Sequence, residues 1–349
     1  YPLSRPPFYY GIEKDLYVNG DKSMPYRKVF GDLILEPIFT NNNQFIDVGF
    51  YPLSPNTNIA HVQTPDGRIF NTWKGFPYAS KEYIHDQQGL DFIIEFIQSL
   101  CGFNPTIFDY VIKWIANIIQ HPQDKQTALV FISVQGVGKG RLFNLLSRLL
   151  KYTILIENTS ELFGQFTSTV ADMLLVGIDE AREGSIVDHD KFKNLIMEKK
   201  TVINEKYKKQ YVSNNFTKYM MFSNNHNCIK IEPGCRRFVM IECSSVNVGN
   251  ISYFRQLTAL FDNLNTLGTI FNHLLNIDLS NFNANIPIKT DLCIQTALQS
   301  LNSADHFMLQ LITESTTIKD YTPEEFYQLY SAYADSEGIT RKLTKRTLG

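Results

Sequence analysis

The stretch Leu129–Arg141, LVFISVQGVGKGR, decides how this chain is read. Leu129, Val130, Phe131 and Ile132 are apolar and mostly branched or aromatic, the composition of a strand buried on both faces. The run stops at a turn holding Gly136, Gly138 and Gly140 with Lys139 among them, and from Leu142 to Leu150 apolar residues return at helical spacing. Strand, glycine-rich turn, lysine and helix predict a phosphate cradle. The glycines let backbone N–H groups turn inward, Lys139 supplies a cation, and the helix N-terminus adds its dipole. Gln135, Gly136, Val137, Gly138, Lys139, Gly140 and Arg141 are therefore the expected binding segment for a nucleoside triphosphate. Two positions depart from the usual G-x-x-x-x-G-K-S/T pattern: Ser133 takes the first glycine's place, and Gly140 replaces the hydroxyl residue that normally ligates Mg²⁺.

Downstream, Ala171–Glu180 (ADMLLVGIDE) reads as a second buried strand ending in two carboxylates. Beside a phosphate loop, Asp179 is placed to hold Mg²⁺ directly or through water and Glu180 to orient an attacking water. Lysines then accumulate, with Lys206, Lys208 and Lys209 in NEKYKKQ between two strand-like pieces, Thr201–Ile203 and Tyr211–Val212. Lysines interleaved with tyrosines suit a nucleic-acid backbone, although for this segment alone a solvated charged face is the simpler reading. Phe216–Phe222 is a third apolar strand, and the amide of Asn224 just beyond it suits a sensor of a terminal phosphate. Arg236 and Arg237 follow on a turn before the apolar run Phe238–Ile241. A guanidinium pair there is a candidate finger for a neighbouring subunit's phosphates, being permanently charged and able to grip phosphate at two points.

The 349 residues leave room for two or three compact units, and 44% hydrophobic with 19% charged residues is the balance of a globular chain. A net charge of −2 excludes a global field for nucleic acid, so any such surface must be local. None of the five cysteines forms a C-x-x-C pair, which argues against a zinc site or disulfide framework and for a reducing compartment. No apolar run is long enough for a membrane span, so no membrane partner is expected. The chain starts at Tyr1 rather than methionine and is therefore expected to be an excised part of something longer.

Residues 1–88, rich in proline and turn signals, predict a small α+β or mostly β head, with strand-like pieces at Asp32–Ile38, Ile46–Phe50 and Arg68–Trp73. Residues 89–250 form the expected P-loop core, led by two amphipathic helices in 89–121. Residues 251–349 read as a helical tail, with helices expected over Tyr253–Ile277, Asp291–Glu314 and Thr322–Ala334 and a basic end.

In order along the chain, QGVGKGR, LLVGIDEAR, KKTVINEKYKK, YMMFSNN and CRRFVMIE resemble the Walker A, Walker B, B′, motif C and arginine-finger segments of superfamily 3 helicases. The overall pattern most closely resembles the helicase module of phage primase-polymerases, convincingly over roughly residues 68–245. The resemblance implies an AAA+-like α/β fold and a hexameric ring with ATP and Mg²⁺ at subunit interfaces. It also implies translocation on single-stranded DNA beside a primase or polymerase domain of the same polypeptide, in the host cytoplasm. It assigns Lys139 to the β- and γ-phosphates, Asp179 and Glu180 to Mg²⁺ and water, Asn224 to sensing, and Arg237, with Arg236 beside it, to the finger acting in trans. Lys206, Lys208 and Lys209 would face DNA in the central channel, and the tail end is similar to the start of a winged-helix unit. Gly140 keeps open an alternative: a weakly active or inactive ATPase serving as an oligomerisation and DNA-clamping scaffold. A small-molecule P-loop kinase ranks last, because Lys151–Gly164 lacks the arginines of a substrate lid.

Overall fold

A computed structural model describes residues 8–11, 16–19, 47–53, 61–65, 67–157, 162, 170–179, 189–204, 210–232, 234–314 and 320–348. At its centre lies a five-stranded, all-parallel sheet built from β6 (Ala128–Ile132), β7 (Thr153–Ile156), β8 (Leu175–Ile178), β11 (Lys218–Ser223) and β12 (Phe238–Glu242). Its spatial order is β12-β6-β11-β8-β7. All five residues of β6 are fully buried, which is why its sequence runs apolar without alternation. Leu129, Phe131, Met220, Phe222, Val239 and Ile241 pack on one face; Ala128, Val130, Ile132, Tyr219, Met221, Phe238 and Met240 pack on the other.

On the first face lie α1 (Gln87–Leu100), α2 (Pro105–Gln120) and α3 (Lys139–Leu150). Asp86 caps α1 by accepting from the Gly89 N–H; Asn104 caps α2, with Pro105 at the first helical position where its missing N–H costs nothing. α5 (Ile251–Phe261) and α6 (Leu264–Leu275) share this core through Leu257, Phe261, Leu267, Ile270, Phe271 and Leu274. The other face is covered by α4 (His189–Met197), through Phe192 and Ile196, and by Leu292 of α7 (Asp291–Gln299). Between α4 and β11, β9 (Lys200–Ile203) and β10 (Tyr211–Asn214) pair antiparallel, Ile203 opposite Tyr211.

In the N-terminal part, β1 (Phe8–Gly11) pairs with β2 (Leu16–Asn19), and β3 (Asp47–Gly49), β4 (His61–Thr64) and β5 (Gly67–Asn71) form a three-stranded sheet. The expected strand over Asp32–Ile38 lies outside the described residues. Phe50 and Trp73 meet Tyr152 at ring-centroid distances of 5.1 and 4.8 Å, and the Lys74 N–H donates to the Tyr152 hydroxyl at 2.9 Å, so this sheet joins the main core beside β7.

The helices expected over 253–277 and 291–314 are each two. α5 and α6 break at Asp262, where Asn263 caps the new helix; α7 and α8 (Ser303–Glu314) break at Ser300, with the Asn302 side chain accepting from the Ala304 and Asp305 N–H groups. In both, an asparagine offers the backbone a local acceptor and restarts the helix. α9 (Pro323–Ser336) carries a full capping box from Thr322 and Glu325 and packs through Tyr330 on Phe307, followed by the short α10 (Lys345–Leu348).

The turn between β6 and α3 is held by its glycines. Gly136 and Gly138 adopt φ of +92° and +100°, a region open to glycine at little cost. A Cβ on Gly138 would meet Phe254 at 2.8 Å and Phe96 at 3.0 Å, whereas one on Gly140, inside α3, meets nothing within 4 Å. Gly138→Ala is therefore expected to cost roughly 1–3 kcal/mol of stability, and Gly140→Ala to add roughly 0.5–1 kcal/mol. Urea unfolding of the two variants checks this contrast of sign within one loop.

At the opposite, N-terminal end of the sheet, two lysines are buried. Lys218 donates to the Pro122 carbonyl; Lys125 donates to the Thr217 carbonyl at 2.7 Å and to that of Leu195 at 3.4 Å, over the Tyr219 ring. Burial pushes the Lys125 ammonium down to about 7. Between that value and the ordinary lysine range the unfolded chain binds the extra proton, so this group makes stability rise with pH. The stability of wild type relative to Lys125→Met should accordingly climb from pH 7 to 9, by at most about 1.4 kcal/mol per pH unit. Chemical denaturation at three pH values measures it.

Candidate nucleotide site

The sheet order brings three strand ends to one edge. β11 lies between β6 and β8, so the segments following all three open side by side, the position where open α/β sheets take their ligands. Lys139 starts α3, and its Nζ donates to Ser133 Oγ at 2.6 Å and to Asn224 Oδ1 at 2.8 Å, with the carbonyls of Ser133 and Val134 at 3.2 and 3.4 Å. Lys139 and Asn224, expected to act on the same phosphate, thus touch across 85 positions of sequence. The Ser133 N–H donates to the Ser223 carbonyl at 3.2 Å, which ties the loop to the end of β11.

Asp179 follows β8, its N–H donating to the Ile156 carbonyl at 2.9 Å. Half-burial draws the Lys139 ammonium below the ordinary lysine range, while the charge of Asp179 acts in the opposite sense. Glu180 lies outside the described residues. Cys243, just past β12, is also here: its N–H donates to the Ile132 carbonyl at 2.9 Å, Ser133 is its side-chain hydrogen-bonding neighbour, and burial pushes its thiol up to about 12.

Val137, 2% exposed, anchors the loop in the core, while Gln135, Gly140 and Arg141 are exposed. Gly136, Gly138 and Arg141 open onto a cavity of about 640 Å³ whose other wall is α5, with Phe254, Arg255 and Thr258. Arg148, near the end of α3, grips the Asp262 carboxylate at 2.6 Å and the Phe261 carbonyl at 2.9 Å, fixing that wall against α3. The cavity residues were not expected from the sequence. A helix start after residue 250 was legible, but nothing in its spacing says that it faces the loop.

Arg236 and Arg237 are elsewhere. The Arg237 carbonyl accepts from the Ala128 N–H at 2.8 Å, at the beginning of β6, whereas Lys139 follows its end. Strands of this length separate the two by roughly 15 Å along the strand direction at about 3.3 Å per residue. Arg236 is exposed; Arg237 is half-buried, and its Nε is buried without a hydrogen-bond partner among the described residues. Lys206, Lys208 and Lys209 lie outside the described residues, between the paired ends of β9 and β10.

The site's own chemistry fits a triphosphate with one divalent cation. Two left-handed glycines, a lysine and a helix N-terminus supply the anion cradle. Among the described residues no group of three or more His, Cys, Asp or Glu could hold a metal on protein ligands alone. Mg²⁺ binds through one or two carboxylates plus phosphates and water, and Asp179, whose charge acts on Lys139, is a carboxylate at this edge.

A family model described as a family of unknown function (DUF5906) matches residues 131–237, from β6 through Arg237. The DNA primase-polymerase of Nitratiruptor phage NrS-1 is 30% identical over 152 residues, a match spanning 40% of this chain and 21% of that protein. Solved apo structures of the NrS-1 C-terminal region superpose with a TM-score of 0.68 over 98% of this chain and 89% of that one, at 17% identity, and with 0.66 over 93% and 82%, at 18% identity. No helix among the described residues is long and apolar enough to cross a membrane. The chain has the fold of the C-terminal region of the NrS-1 protein, and it is similar in sequence to that phage primase-polymerase, the kind of protein its motif order resembles.

Proposed function

We propose that this chain is the ATP-driven helicase module of a phage replication protein: an AAA+-like, superfamily 3 ring, hexameric, that translocates on single-stranded DNA beside a primase or polymerase domain of the same polypeptide. It would work in the host cytoplasm. Phage DNA replication as the setting follows from the sequence similarity to a primase-polymerase. The observation that carries the motor reading is the pairing of Lys139 with Asn224 at the edge where Asp179 also ends its strand. Chemistry of this class is mostly positioning and charge stabilisation, and those side chains come from three separate strand ends on one rigid sheet.

ATP supplies the phosphoryl group, and Mg²⁺ neutralises charge on its phosphates when bound. Lys139 would neutralise the β- and γ-phosphates, Asp179 would hold Mg²⁺ directly or through water, Glu180 would orient the attacking water, and Asn224 would read the terminal phosphate. The cavity against α5 takes the nucleoside. The opposed ends of the sheet support an interfacial site: Arg237 lies too far from its own phosphate loop to serve it, so with Arg236 it reaches the loop of an adjoining subunit. Lys206, Lys208 and Lys209, which lie between β9 and β10 in the sequence, would contact the DNA backbone, and six copies would concentrate positive charge that the net charge of −2 does not reveal.

Gly140 favours a second reading, a slow or inactive ATPase that clamps DNA as a scaffold, because it offers no hydroxyl to Mg²⁺. Phosphate release with and without single-stranded DNA separates the two. The motor predicts DNA-stimulated turnover, lost by at least about a hundredfold in Lys139→Ala, as expected where one group stabilises transferring charge. Lys208→Ala/Lys209→Ala should lose DNA binding and stimulation but keep basal turnover. Normal unwinding by Lys139→Ala would reject the motor.

A finger acting in trans makes a further demand on the same assay. Arg237→Ala and Lys139→Ala are each inactive, yet mixing them should restore turnover, because some interfaces then pair an intact loop with an intact arginine. A mixture no more active than its components places Arg237 outside the neighbour's site.

A further inference from the structure

Ser133 stands where a phosphate loop usually carries its first glycine, and the backbone does not require glycine there. Among the described residues the non-glycine positions with positive φ are Phe103, Lys151 and Asp172, so Ser133 is in an ordinary conformation. Its hydroxyl donates to the Val134 carbonyl at 2.8 Å, which commits its single proton. The oxygen's lone pairs are left to accept, and the Lys139 ammonium donates into them at 2.6 Å, the shortest of that ammonium's contacts. Asn224 Oδ1 accepts from the same ammonium at 2.8 Å, and the two backbone carbonyls stand further off at 3.2 and 3.4 Å.

An ammonium has three N–H groups, and four protein acceptors already surround this one. A phosphate oxygen reaching Nζ must take an N–H from one of them. The long carbonyl contacts yield at small cost, whereas the two short, charge-assisted bonds to side chains are the strong competitors. Both are fixed from behind. Ser133 is bonded through its N–H to the end of β11 and neighbours the buried Cys243 thiol, and Asn224 leaves the last residue of the same strand.

We propose that Ser133 is a positioning residue of this site: together with Asn224 it latches the Lys139 ammonium, and a triphosphate must open that latch, so the hydroxyl of Ser133 sets nucleotide affinity. The proposal rests on the reading of the loop as a triphosphate site. Opening the latch also releases the Asn224 amide, so that the sensing residue becomes available when phosphate has claimed Lys139.

The test is equilibrium binding of a fluorescent, slowly hydrolysed ATP analogue with Mg²⁺ to wild type, Ser133→Ala, Ser133→Gly, Ser133→Thr and Lys139→Ala, with thermal melting to establish that each is folded. Ser133→Ala and Ser133→Gly are expected to bind about tenfold tighter, the effect of removing one competing hydrogen bond to a charged group. Ser133→Thr keeps the hydroxyl and should retain wild-type affinity, a rescue that a purely structural role for Ser133 does not predict. Wild-type-like or weaker binding by both folded Ser133→Ala and Ser133→Gly, while Lys139→Ala abolishes binding, overturns the latch and leaves the triphosphate site standing. If wild type itself fails to bind the analogue, or Lys139→Ala binds it as well as wild type, the site reading falls and the latch with it.

Discussion

The hydrogen bond from Lys139 to Asn224 is the joint on which the rest of this structure depends. It crosses from the turn after β6 to the end of β11, and it exists because β11 is laid between β6 and β8 instead of at an edge. With β11 anywhere else, the strands β6 and β8 would be direct neighbours and the amide would have no place between the glycine turn and Asp179. The insertion is secured by two parallel ladders, Met220–Ser223 against Leu129–Ile132 and Lys218–Met221 against Leu175–Ile178. Every residue of β11 is buried, including Lys218, whose ammonium is committed to the Pro122 carbonyl.

A sheet built this way separates the expected site residues into two groups, one at each end. Its carboxyl edge gathers Lys139, Asp179 and Asn224 around the glycine turn after β6; its amino end carries Arg236 and Arg237 on the turn before β12. Because β12 is parallel to β6, no side-chain rotation can unite the two groups within one chain. The outer side of β12 is covered near its middle, where the Thr290 hydroxyl donates to the Met240 carbonyl at 2.6 Å. In the proposed ring that leaves the turn bearing the arginines, and not the strand edge, as the part that approaches a neighbour.

What could be read from residues alone follows from burial. β6, β8 and the central residues of β11 and β12 are apolar because helices or loops cover both faces of the sheet, and a continuous apolar run is a strong signal. β7 escaped it: Thr153–Ile156 is a four-residue edge strand, Leu155 is 39% exposed, and no turn residue announces its start beyond Lys151 at φ +68°. Spacing also named most of the phosphate-loop residues without naming their neighbours. Nothing local in YMMFSNN says that Asn224 reaches Lys139, and nothing in VQGVGKG says that Phe254 presses on Gly138, because both facts belong to strand order and helix docking. Ser133 was legible as a departure from a pattern, but its role as an acceptor depends on where its proton goes.

The contact between Gly138 and Phe254 carries a consequence for how the site is built. Phe254 lies on α5, after the last strand, yet it packs so near the loop backbone that a methyl group would not fit between them. Arg148 reaches the same junction from the other end of α3, holding Asp262 and the Phe261 carbonyl where α5 turns into α6. α3 is thus clamped at both ends by elements that follow the sheet's strands, and the cavity between loop and α5 is walled from both sides. Any ligand seated there touches the loop and α5 together. A movement of α5 is then transmitted to the loop backbone through the Phe254 ring and to the end of α3 through Arg148, by packing and one charged contact.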